Sequence, residues 1–205
     1  MSYNIHEAYC LDSQRTQLFW NDHFEGDSVK DLWRTSGTAT VIDAQTGGIV
    51  RLTTGAVTGN TAYIDWGDIR SLLASKRVTL EVIVRLTQTS NVEVWIALWY
   101  DATHFIRFRY DSSAGANWLI ETDDGTGPTS VDSGIAADTD EHVFRVELIP
   151  VDEAHFYLDL PTECANSPIS LDIPTEHLQP FVYVETLADA AKSVDVNYVA
   201  VRQDI

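Results

Sequence analysis

The chain has 205 residues, 44% hydrophobic and 10% aromatic, which is enough apolar material for one sizeable core. Its formal net charge of −18 repels phosphate and disfavours nonspecific binding to nucleic acid or anionic membranes. No run approaches the ~18 apolar residues of a membrane-crossing helix, and the opening MSYNIHEAYC lacks the basic and apolar regions of a secretory signal.

Residues 1–18 are polar and aperiodic and read as an N-terminal arm, with residues 19–205 as one domain. From residue 38 onward, short runs rich in Val, Ile, Thr and aromatics predict strands. They lie near 38–43, 48–54, 60–66, 77–87, 91–100, 104–111, 116–122, 128–133, 142–149, 154–160, 169–173, 181–187 and 193–202. Turn clusters such as GAVTGN, SSAGA and DDGTGP separate them. Two short helical pieces are predicted at 27–33 and 68–75. Many short strands without long helical periods imply an antiparallel two-sheet sandwich or barrel. Cys10 and Cys164 are far apart, and no Cys/His spacing suits a zinc site. Two free thiols are expected, with a bridge from arm to body as the alternative.

The stretch VEVWIALWYDATHFIRFRYD (92–111) predicts a central hairpin. Counted by twos, Ile106, Phe108 and Tyr110 face the core, and Arg107, Arg109 and Asp111 face away. For the first strand the register decides. If Tyr100 pairs with Phe105, Trp99 falls on the core side. A bulge near the turn moves Trp95 and Trp99 to the arginine face instead. The second arrangement is favoured, because it puts Val92, Val94, Ile96 and Leu98 in the core with Phe108.

The chain resembles the concanavalin A-like jelly-roll domains of the LamG-like kind. The resemblance rests on FWNDHFEGDSVKDLW (19–33), GGIVRLTTG (47–55), the central hairpin, HVFRVELIPVDEAHFYLDL (142–160) and SVDVNYVAVRQ (193–203). It is one of strand order and spacing over most of residues 19–203. It implies two stacked, curved antiparallel sheets, the concave one often carrying the binding site. Such domains serve as lectins, glycan-active enzymes, adhesive modules and bacteriophage structural proteins, so function has to be argued from the site.

Glycan-cleaving members carry E-x-D-x-x-E on one strand, so that alternate carboxylates share a face. The nearest match is Glu121-Thr122-Asp123-Asp124-Gly125-Thr126, where Thr126 stands in place of the second catalytic Glu. Arg107, Arg109, His142 and Tyr157 are residue types that alginate-lyase-like relatives use, without the surrounding strand motifs. No G-x-S-x-G nucleophile signature occurs. The chain is therefore expected to be non-catalytic.

Candidate glycan-binding residues are Trp95 and Trp99 for stacking, with Glu93, Arg85, Arg107 and Arg109 for hydroxyls. Glu81, Arg145, Glu147, Tyr157, Tyr183 and Glu185 share this vocabulary. The competing readings are a solvated face of cross-strand ion pairs and tryptophans covered as a second small core. ETDDGTG (121–127) offers oxygen ligands for calcium, with Asp123 and Asp124 as the candidates. It lacks the D-x-[DN]-x-[DN]-G spacing, so a hairpin turn is expected and no cofactor. The leading functional expectation is a structural protein of a virus or phage particle, such as a capsid decoration or tail-associated protein. It would be virion-located, with its arm and edge loops clamping the major capsid or tail protein and copies of itself. The alternative is a lectin-like module using the concave face.

Overall fold

The computed structural model describes residues 17–42, 47–67, 69–150 and 152–205. Residues 1–16 of the expected arm, Cys10 among them, lie outside the described residues. The described residues form two antiparallel sheets and no helix.

One sheet has seven strands: β1 (Gln17–Asp22), β3 (Thr38–Ile42), β4 (Ile49–Thr53), β7 (Val78–Leu86), β12 (Glu141–Ile149), β13 (Glu153–Leu158) and β15 (Ser193–Asp204). Its order is β13-β12-β7-β15-β4-β3, with β1 also on β15. The other has eight: β2 (Arg34–Ser36), β5 (Thr61–Asp65), β6 (Leu72–Leu73), β8 (Val92–Asp101), β9 (His104–Asp111), β10 (Asn117–Asp124), β11 (Thr129–Ala136) and β14 (His177–Thr186). Its order is β11-β10-β9-β8-β14-β5-β2, with β6 on β14. Gln17 and Leu18, placed in the arm by the sequence reading, pair with Asp204 and Gln203.

Period-two alternation builds the core between the sheets. Val78, Leu80, Val82, Val84 and Leu86 of β7 are buried, as are Val92, Val94, Ile96 and Leu98 of β8. Phe108 of β9 packs edge-on against Phe144 of β12 and Phe156 of β13, at 5.2 and 5.3 Å between centroids. Trp118 of β10 meets Phe144 at 4.6 Å. These rings span both sheets and fix their stacking.

Neither expected helix forms among the described residues. Around residues 27–33, Asp22 organises the chain through its side chain. Its carboxylate accepts from the Phe24 amide (2.8 Å), the Lys30 ammonium (2.5 Å) and the Trp33 indole (3.0 Å). A buried carboxylate with three donors replaces the helical ladder that so short a segment cannot nucleate alone. In the second segment, Leu72 and Leu73 add to β14 opposite Leu178 and His177, and Leu72 is fully buried. The strand expected at 169–173 reduces to one bridge, Ile169 with Ala154. Cys164 is a free, buried thiol, and burial pushes its pKa up to about 11.

Because Phe108 joins both sheets, Phe108→Ala is expected to cost ~3–5 kcal/mol. Equilibrium denaturation in urea would read this as a lower midpoint with an unchanged slope.

Candidate functional site

The register of the central hairpin is bulged. Trp99 pairs with Phe105 and Asp101 with His104, so Tyr100 is an extra residue on β8. Upstream of the bulge, Ala97 stands opposite Arg107, Trp95 opposite Arg109 and Glu93 opposite Asp111. On the other flank β14 brings Gln179, Phe181, Tyr183 and Glu185 opposite Trp99, Ala97, Trp95 and Glu93. From β10, Glu121 faces Arg107 and Asp123 faces Phe105. One face of the eight-stranded sheet thus collects Trp95, Trp99, Glu93, Arg107 and Arg109. It also collects residues that were not selected as a site from sequence: Phe105, Asp111, Glu121 and Phe181.

Arg85 belongs elsewhere, and its assignment to this face is corrected. It lies on β7 in the seven-stranded sheet and donates to Asp195 Oδ2 at 2.7 Å. Asp195 also takes a two-pronged contact from Arg51, at 2.7 and 2.9 Å. The two arginines flank it in register, so this is a cross-strand ion-pair network. Glu81, Arg145, Glu147 and Tyr157 are on that sheet too, while Tyr183 and Glu185 join the tryptophans.

The planar groups form a ladder across strands. Trp95 stacks on Tyr183 at 4.2 Å and Trp99 on Phe181 at 4.7 Å, close enough for ring faces to overlap. Trp99 also lies 5.9 Å from Phe105, at 13°. The Arg107 guanidinium sits over Phe105 at 3.9 Å and over Trp95 at 4.3 Å. Ala97, Phe181 and Tyr183, with Tyr63, Trp95 and Trp99 packed against them, make a second small apolar cluster, in which both tryptophans remain half-buried.

Carboxylates hold the arginines in place. Glu121 is 2% exposed; its Oε2 accepts from Arg107 Nε at 2.6 Å, and its Oε1 accepts from Ser130 at 2.8 Å. Arg109 donates to Glu93 and to Asp111, both at 2.6 Å, and lies 3.7 Å from Glu121. Glu93 Oε1 accepts from the Trp95 indole as well, at 2.7 Å. Burial opposes the charge on Arg107 and lowers its pKa despite Glu121. Burial also opposes the charge on Arg109, but the Glu93 hydrogen bond and the surrounding carboxylates raise its pKa. For Asp111, burial is outweighed by hydrogen bonds from Ser113 and by Arg109, which together hold its carboxyl below the usual range. Tyr183 is pushed well up by burial and by its 2.5 Å hydrogen bond to Glu185, so it stays protonated and donates.

The two candidate calcium ligands serve the hairpin turn. Asp123 Oδ1 accepts from the amides of Gly125 and Gly127, and Asp124 Oδ1 from the amide and hydroxyl of Thr126. Among the described residues, no group of three or more His, Cys, Asp or Glu could hold a metal ion.

No family model and no curated protein matches the chain. Solved structures do. A β-1,3-1,4-glucanase (lichenase) from a mouse hindgut metagenome is 13% identical, with a TM-score of 0.64 over 91% of this chain and 98% of its own. A Mycobacterium tuberculosis protein described as an immunostimulatory antigen and pseudo β-1,3-glucanase is 14% identical, with a TM-score of 0.64 over 93% and 100%. A carbohydrate esterase from the Shiga toxin-encoding bacteriophage phi24B is 12% identical, with a TM-score of 0.53 over 84% and 90%. The chain has the concanavalin A-like jelly-roll fold.

These similarities correct the expectation of a non-catalytic chain, because the fold is shared with named glycan-cleaving enzymes. That expectation rested on motifs read along single strands. On this face the carboxylates Glu93, Asp111 and Glu121 come from three strands and surround one arginine.

Arg107→Ala would leave Glu121 buried without its partner and is expected to cost ~3–5 kcal/mol. The double variant Arg107→Met/Glu121→Gln is expected to recover most of that loss in denaturant melts, since Met keeps the ring contacts. The lowered pKa of Asp111 lends stability that is complete above its ordinary value of about 3.9 and is lost as pH falls through the lowered one. Acid titration followed by circular dichroism should therefore be shallower below about pH 4 in Asp111→Asn than in the parent.

Proposed function

We propose that the outer face of the eight-stranded sheet binds carbohydrate. The observation that carries this is the ladder of half-buried tryptophans flanked by hydrogen-bonding arginines and carboxylates. Apolar ring surface beside planar polar groups is the chemistry that sugars require. Five carboxylates (Glu93, Asp111, Glu121, Asp123 and Glu185) face two arginines here, so uncharged glycans are favoured over acidic ones. The glucanase names of similar structures make β-1,3- and β-1,3-1,4-glucans the first ligands to test.

Cleavage is the second reading, supported by the three carboxylates around Arg109. Asp111, held below the usual range, suits a base or nucleophile and not a proton donor. The particle-borne role has one observation on its side, the bacteriophage source of the esterase, and that protein's name also concerns carbohydrate. Contacts with capsid or tail subunits are therefore secondary to glycan contact.

Glucan oligosaccharides titrated into the protein should bind about tenfold more weakly to Trp99→Ala and to Arg109→Ala. Binding that ignores both substitutions, or an array with no glycan bound, overturns the reading. If the face also cleaves, new reducing ends should appear with the parent and disappear with Glu93→Gln.

A further inference from the structure

Thirteen basic residues stand against thirty-one acidic ones, so an arginine here is rarely without a carboxylate. Arg34 pairs with Asp65, Arg51 and Arg85 with Asp195, Arg107 with Glu121, Arg109 with Glu93 and Asp111, and Arg145 with Glu147. Arg77 and Arg202 form no ion pair among the described residues, and both line the same cleft. It lies on the outer face of the seven-stranded sheet, away from the tryptophans, and has a volume of about 140 Å³. That is about ten times the roughly 10–15 Å³ that one water occupies on the same measure.

Strand register assembles it. Arg202 of β15 pairs with Thr79 of β7, and Thr79 pairs with Glu147 of β12. Arg77 and Arg145 lie two residues before Thr79 and Glu147, so period two sends all of them to one face. Glu147 and Asp204 also line the cleft, and both are engaged. Glu147 is bound by Arg145, and Asp204 Oδ1 accepts from Gln17 at 3.0 Å. Guanidinium groups present planar forks that match oxyanions.

We propose that this cleft binds a compact oxyanion of the phosphate or sulfate class. Arg77 and Arg202 supply the charge, and the Thr79 hydroxyl supplies a further donor. The ligand is either a free ion or the ester group of a substituted sugar.

Calorimetric titration at low ionic strength with inorganic phosphate, inorganic sulfate and glucose 6-sulfate tests this. Saturable binding of at least one probe is expected, weakened about tenfold in Arg202→Gln and in Arg77→Gln and unchanged in Trp99→Ala. Tighter binding of glucose 6-sulfate than of sulfate would assign the site to a sugar ester, and equal binding to the free ion. Arg202 packs over Phe19 at 5.2 Å, so its variant also changes a strand contact. Exposed Arg77, with no side-chain hydrogen bond, gives the cleaner measurement. Absence of saturable binding for all three probes, or binding indifferent to both arginine substitutions, overturns the proposal. Neither result bears on the glucan face, which Trp99→Ala reads separately.

Discussion

Between Trp99 and Asp101, strand β8 carries one residue more than β9, and Tyr100 is the extra one. A strand has only two faces, so one residue of slip exchanges every side chain between core and surface. With the bulge, Val92, Val94, Ile96 and Leu98 meet Phe108 inside, and Glu93, Trp95 and Trp99 meet the arginines outside. Strand β14 then has aromatic neighbours on its outer side as well. It answers with Leu178, Val182 and Val184 inward and Phe181 and Tyr183 outward, and it is buried along most of its length. The aromatic ladder, and the arginine seated on it, follow from that one displaced residue.

The charged groups on this face are arranged by the same geometry. Arg107 is buried and cannot be left uncompensated, and Glu121 on the neighbouring strand meets it in register. Arg109, two residues on, reaches Glu93 on one side and Asp111 on its own strand. Glu93 in turn receives the Trp95 indole, so the ion pairs and the ring stack orient each other. The carboxylate excess that remains makes this face unsuited to acidic ligands. The seven-stranded sheet has the opposite imbalance at one cleft, where Arg77 and Arg202 have no carboxylate partner among the described residues. The two outer faces of the sandwich are thus set for ligands of different charge.

Alternation made the core face of β9 legible in the sequence, whereas for β8 it left two registers, of which the bulged one was favoured because it put the aliphatic residues inside. What it could not show was which sheet a strand joins. Strands β7 and β8 are consecutive yet lie in opposite sheets, so Arg85 and Trp95 shared a vocabulary without sharing a face. The same limit affected the carboxylates. A search along one strand stopped at Thr126, whereas Glu93, Asp111 and Glu121 are brought together across β8, β9 and β10. The absent helices have a local cause: a buried aspartate and a sheet edge offered those short segments better hydrogen bonds than a helix of two turns.

Ring orientation constrains what a sugar can do on the tryptophan face. A pyranose gains most by lying flat on a ring, but the faces of Trp95 are taken by Tyr183 on one side and Arg107 on the other. Trp99 has Phe181 stacked on it at 4.7 Å, with Phe105 nearly parallel at 5.9 Å. A ligand that leaves the ladder intact meets ring edges, which supply apolar contact with little orientation. Orientation then falls to the polar groups beside the ladder, chiefly Arg109 and its carboxylates. Lying flat on Trp95 would instead require displacing the Arg107 guanidinium, which Glu121 anchors from the neighbouring strand. The Arg107–Glu121 pair therefore sets how far the ladder can open to a ligand, although neither group needs to touch the sugar.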